Sequence, residues 1–147
     1  MRRLSLMMGA TMLAVLGLVA CGNSDDNQPA NEVHNHAPAT LTLDNGRKWQ
    51  ADQHTREGIL GIRQALADKP AESLNDMSAL GQDLQQRVKR LVSGCTMTGA
   101  AHNQLHVFLE GFMPAVDSLA GAKDEAGARE TLTELHHMLE QYDDYFE

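Results

Sequence analysis

Residues 74–95 read LNDMSALGQDLQQRVKRLVSGC. Leu74, Met77, Leu80, Leu84, Val88 and Leu91 recur at steps of three and four, which places them on one face of an α-helix. Ser93-Gly94 stops the pattern, and Pro70 suits a first turn, so the spacing predicts a helix from about Pro70 to Gly94. One further step of four beyond Leu91 lands on Cys95, which directs the thiol inward.

The segments on either side repeat the helical period. Upstream, Asp52 is a candidate N-cap for a helix ending near Asp68, with Ile59, Ile62 and Leu66 on its apolar face. A second stripe, His54, Gly58, Gly61 and Ala65, leaves room for a neighbouring helix to come close, which offsets the roughly 1 kcal/mol each interior glycine costs. Downstream, a third helix starts near Thr98 or Gly99 and buries Leu105, Leu109, Phe112, Val116 and Leu119, with Pro114 expected to kink it. After Gly121 a last helix runs from about Lys123, with Ala128, Leu132, Leu135, Leu139, Tyr142 and Phe146 on its face. Four helices on short connections predict an all-α fold, an up-down-up-down four-helix bundle. Ahead of it, Leu41 to Trp49 alternates apolar and polar around Asn45-Gly46, a tight-turn signal, and predicts a short extended clip or hairpin packed through Leu41, Leu43 and Trp49.

The chain begins with Arg2 and Arg3, an apolar run from Leu4 to Ala20, and Leu18-Val19-Ala20-Cys21. A basic start, a short hydrophobic middle and small residues before a cleavage point are the layout of an export signal. Leu18-Val19-Ala20-Cys21 resembles a bacterial lipobox. That resemblance implies cleavage before Cys21 and acylation of Cys21; an uncleaved anchor or an ordinary secretory signal is the alternative. It further implies a lipid-anchored protein, with Gly22 after the cysteine pointing to the outer membrane and a periplasm-facing domain. Residues 1–20 are then a lipoprotein signal peptide, 21–40 a flexible tether rich in Asn, Asp, Ala and Pro, and 41–147 the helical bundle domain with its N-terminal clip. Several acyl chains anchor firmly without a transmembrane helix. Loss of Arg2 and Arg3 takes the formal charge from −8 to −10, which argues against nucleic acid as a partner.

Cys95, Met97, His102 and His106 stand within twelve residues. With Cys21 committed to lipid, Cys95 has no partner for a disulfide within the chain. Thiolate, thioether and imidazole together suit copper(I) first and zinc second, with Met97 as fourth ligand. His102 and His106, four apart, share a face, and the site is expected at the end of the bundle, beneath the clip, with Trp49 or Tyr142 shielding it and His136 level with His106. His34-Asn35-His36 in the tether reads as polar linker or a weak metal ligand. A position just before a helix N-terminus favours the Cys95 thiolate, but no serine or second cysteine completes a catalytic set, and no Gly-rich phosphate loop is present, so no enzyme is expected.

The stretch Leu43 to Trp49, together with Cys95-Thr96-Met97 and His106 to Leu109, resembles a group of small bacterial envelope proteins without an assigned activity. It implies no function. Two expectations follow from the residues: a bundle that binds copper(I) or zinc for sensing, buffering or delivery, or a metal-free module in the envelope whose small face at Gly58 and Gly61 docks a partner protein or a second copy.

Overall fold

The computed structural model describes residues 40–68 and 71–147. The signal peptide, Cys21, the tether up to residue 39 with His34 and His36, and Pro70 lie outside the described residues. Four helices make an all-α bundle: α1 (Gln53–Asp68), α2 (Leu74–Gly94), α3 (Gly99–Ala120) and α4 (Glu125–Tyr145). None of them is long and apolar enough to cross a membrane.

Local chemistry fixes where the helices begin. Asp52 Oδ1 accepts from the Thr55 N–H at 2.7 Å and caps α1. At α2 the Ser73 hydroxyl accepts from the Asp76 N–H while Asp76 reaches back to the Ser73 N–H, a capping box that moves the helix start past Pro70 to Leu74. Asp124 accepts from the Gly127 N–H at 2.9 Å, so α4 starts at Glu125 and not at Lys123. Only α3 has no such cap: Thr98 makes no side-chain hydrogen bond, and the helix opens on Gly99 at φ 66°. Pro114 is exposed within α3, which continues to Ala120.

The apolar stripes meet in one core. Ile62, Met77, Leu84, Phe112, Leu119 and Leu135 have no exposed surface at all, each worth about 1.5–3 kcal/mol of transfer free energy. α2 packs on α1 and α3 and touches α4 across the bundle; α3 packs on α4. Arg63 of α1 donates to the Leu139 carbonyl at 2.7 Å and to Asp143 at 2.8 Å, tying α1 to α4.

Two glycines of α2 set its approach to its neighbours. A Cβ on Gly81 would lie 2.3 Å from the Ala120 nitrogen, so α2 and α3 touch there backbone to backbone, and the Ser78 hydroxyl donates to the Ala120 carbonyl at 2.6 Å. At the other end a Cβ on Gly94 would fall within 2.2 Å of the His54 ring. The small stripe of α1 also faces α2: a Cβ on Gly58 would sit 3.0 Å from Leu91, and Arg87 donates to the Gly61 carbonyl at 3.0 Å. Gly58 and Gly61 therefore face α2, the neighbouring helix that the small stripe was expected to let come close.

The clip turns at Asn45 and Gly46, both left-handed at φ 52° and 84°, as a primed hairpin turn requires. Asp44 and Arg47 exchange both backbone hydrogen bonds, at 2.8 and 3.0 Å, and there the hairpin ends. Trp49 instead pairs in parallel with Phe146: its N–H donates to the Tyr145 carbonyl at 2.7 Å, and its carbonyl accepts from the Glu147 N–H at 2.9 Å. The indole donates to the Thr42 carbonyl at 2.5 Å. Leu41 and Trp49 pack on the core as expected, whereas Leu43 is 41% exposed.

Candidate functional site

The four residues Cys95 to Thr98 join α2 to α3. Cys95 leaves α2 in extended backbone, which ends the helix. Asp52 then fixes the connection, since its Oδ2 accepts from both the N–H and the hydroxyl of Thr96 at 2.6 Å. Burial raises the Asp52 carboxyl, but hydrogen bonds from Thr96 and Thr55 outweigh it and hold the group well below the usual carboxylate range. His54 lies against Gly94, and because a carbonyl can only accept, its Nε2 carries the proton donated to the Arg90 carbonyl at 3.0 Å. The connection is thereby held from α1 at two points.

Cys95, His102 and His106 form a row. The free thiol of Cys95, half-buried, has its Sγ 3.8 Å from His102 Nδ1. His102 Nε2, at the opposite edge of the same ring, is 2.9 Å from His106 Nε2. The two rings meet edge-on, with centroids 4.4 Å apart at 80°. The Nε2–Nε2 distance requires one nitrogen to donate and the other to accept, and His102 Nδ1 is left free to accept from the thiol when Nε2 carries the proton.

This geometry sorts the expected ligands. His102 and His106 share a face of α3, and Cys95 points at His102. The nitrogens of one imidazole diverge, however, so an ion between the two Nε2 atoms lies on the far side of the His102 ring from Cys95. Two nitrogens on one tetrahedral zinc stand about 3.3 Å apart, close to the 2.9 Å found. The two imidazoles thus stand at close to the spacing that two ligands of one ion require, and Cys95 stands behind them as a partner to the other nitrogen of the His102 ring. Met97 is half-buried against the core. Among the described residues no group of three or more His, Cys, Asp or Glu side chains is arranged to hold an ion on its own.

The surroundings differ from the expected roof. The clip reaches α3 on its other flank, where the Thr42 N–H donates to Gln104 Oε1 at 2.7 Å and Trp49 lies beside Ala101. Tyr142 stacks on Phe146 at 4.6 Å and meets Phe108 edge-on at 5.2 Å. His136 lines the seam between α1 and α4 with Arg63 and Leu139. His106 is consequently exposed, and His102 beside it is half-buried.

No family model, no curated protein and no solved structure matches this chain.

Two features escaped the sequence reading. Asp52 was legible as a cap but not as the clamp on Thr96, because a contact across 44 residues leaves no local signature. The other is an apolar groove of about 310 Å³ between α2 and α3, lined by Val88, Val92, Met113 and Val116. Val92 and Met113 are 45% and 43% exposed. Their signal was their position just off the core stripes, which reads as incidental until both helices are in place.

Proposed function

We propose that this protein is a lipid-anchored envelope protein, attached through Cys21 and facing the periplasm from the outer membrane, whose bundle binds copper or zinc through His102 and His106 for sensing, buffering or delivery. The observation that supports this reading is the 2.9 Å approach of two Nε2 atoms at an exposed place on α3. Imidazole serves both metals. The preference for copper(I) rested on sulfur donors, and with Cys95 behind the His102 ring and Met97 against the core, zinc stands level with it. Titration of the reduced protein with each metal tests the reading. His106→Ala should abolish binding at micromolar metal, and Cys95→Ala, which removes an outer partner only, should weaken it about tenfold. Unchanged affinity in His106→Ala rejects the site.

The α2–α3 groove favours a second reading, a metal-free module that docks another envelope protein on Val92 and Met113. Cross-linking in intact envelopes separates the two. A cross-linked product lost in Met113→Lys but unaffected by chelator and by His106→Ala supports the metal-free module.

A further inference from the structure

The geometry points to a second copy of this chain as the partner that completes the metal site: two α3 helices lie side by side in the same direction, and the His102–His106 pair of each supplies two of four ligands to one shared zinc ion. The inference rests on the metal-binding reading above and adds to it the source of the missing ligands.

One chain offers two imidazoles where zinc takes four ligands or three and water. Nothing else among the described residues is arranged to complete the set. A two-fold axis parallel to α3 doubles the pair without any new residue type, since an isologous contact sets each patch against its own copy.

The same face of α3 supplies the apolar contact such a dimer needs. Met113 follows His106 by seven residues, nearly two whole turns, so it points the same way. Val92 and Met113, two of the four large apolar side chains left exposed among the described residues, flank the α2–α3 groove. Parallel α3 helices with their histidines in register place Met113 of one copy on Met113 and the groove lip of the other.

Charge fits this arrangement. The α2 lip of the groove carries Lys89 and the α3 lip carries Asp117, while Glu110 is exposed on α3 about one turn after His106. Gly81 lies against Ala120 at one end of the α2–α3 seam and Cys95 against His102 at the other, so Lys89 and Glu110 stand at the same height in each chain. Across a parallel two-fold contact, the outer side of one α3 faces the inner side of the other, which sets Glu110 of one copy beside Lys89 of the second. The antiparallel alternative, with the histidines still together, would leave the two grooves at opposite ends and unpaired.

Sedimentation velocity of the full chain in mild detergent, with zinc ions added and bound zinc counted, tests the inference. The expected result is a monomer in chelator and a dimer at one zinc per two chains. Met113→Lys should remain monomeric and bind zinc at least about tenfold more weakly, its fold monitored by circular dichroism. Lys89→Glu and Glu110→Lys should each weaken the dimer, and the two together in one chain should restore it. A monomeric wild type carrying one zinc per chain overturns the shared site and leaves the metal-binding reading standing. Failure of the wild type to take up zinc or copper overturns both. A zinc-bound dimer that Met113→Lys and the charge reversals leave untouched overturns the parallel α3 contact.

Discussion

Asp52 and Thr96, 44 residues apart, are joined by two hydrogen bonds of 2.6 Å from the threonine N–H and hydroxyl to one carboxylate oxygen. The other oxygen caps α1. A single side chain therefore begins one helix and holds the connection that carries Cys95. Asp52→Ala should cost about 1–2 kcal/mol of stability by chemical denaturation, the range for a lost N-cap. Because the folded-state pKa is depressed, this contribution is present at neutral pH, begins to be lost as pH falls below the ordinary aspartate value of about 3.9, and disappears as pH falls through the folded-state value. The stability difference between wild type and Asp52→Asn should accordingly shrink with acidification over that window.

Gly81→Ala should be among the more damaging single changes in the bundle. The new methyl meets the Ala120 backbone at 2.3 Å, and backbone cannot swing aside, so a loss of about 1–3 kcal/mol is expected despite the gain in helix propensity. Gly94→Ala offers a contrast, because the atom it meets belongs to the His54 ring. In a His54→Ala background the clash is gone and Gly94→Ala should stabilise by up to about 1 kcal/mol. The double-mutant cycle from thermal or denaturant unfolding checks this; equal effects in both backgrounds would show that the ring does not hold the glycine in place.

Tyr142 presents a buried hydroxyl with no hydrogen-bond partner. Burial first, and the Asp143 carboxylate next, push its pKa up to about 12. Tyr142→Phe should be neutral or stabilising by up to about 1 kcal/mol at pH 7, since it removes an unsatisfied polar group and keeps the ring against Phe108 and Phe146. For a tyrosine whose folded pKa is raised, the contribution to stability is present below pH 10 and lost as pH rises toward 12. Wild type should therefore lose stability over that alkaline window faster than Tyr142→Phe, as measured by urea unfolding at each pH.

Alkylation of Cys95 tests the proposed placement of a metal on the far side of the His102 ring. With zinc between the two Nε2 atoms, the thiol should remain reactive to iodoacetamide, because its partner is Nδ1. Full protection by stoichiometric zinc would put the sulfur on the ion. Without metal, His102→Leu should slow alkylation by removing the base that faces the thiol.

The fold was legible wherever a signal repeats. The stripes from Ile59 to Leu66, Met77 to Leu91, Leu105 to Leu119 and Ala128 to Tyr142 identify four helices because burial forces one residue type onto one face. Helix starts were less so: Pro70 is a plausible first turn, but Ser73 and Asp76 satisfy two backbone N–H groups at once and fix the start of α2. The i, i+4 spacing put His102 and His106 on one face, and the continuation of the Leu91 stripe directed Cys95 toward them. Which edge of the His102 ring each neighbour meets depends on rotamers, to which spacing is blind. The parallel pairing of Trp49 with Phe146 joins segments almost a hundred residues apart, and no local pattern in either one names the other.

That pairing also determines how the domain bears a load. A pull applied at residue 40 reaches the Thr42–Gln104 hydrogen bond first, then the clip, and then the Trp49 pairing with Tyr145 and Glu147, before any helix is stretched. The three backbone hydrogen bonds between residues 49–51 and 145–147 stand in series ahead of the core, so tension is spent on peeling a short ribbon while the α2–α3 seam stays slack. The first bond to feel the load ends on Gln104, between His102 and His106, so a tug on residue 40 is delivered to the turn of α3 that carries the histidine pair.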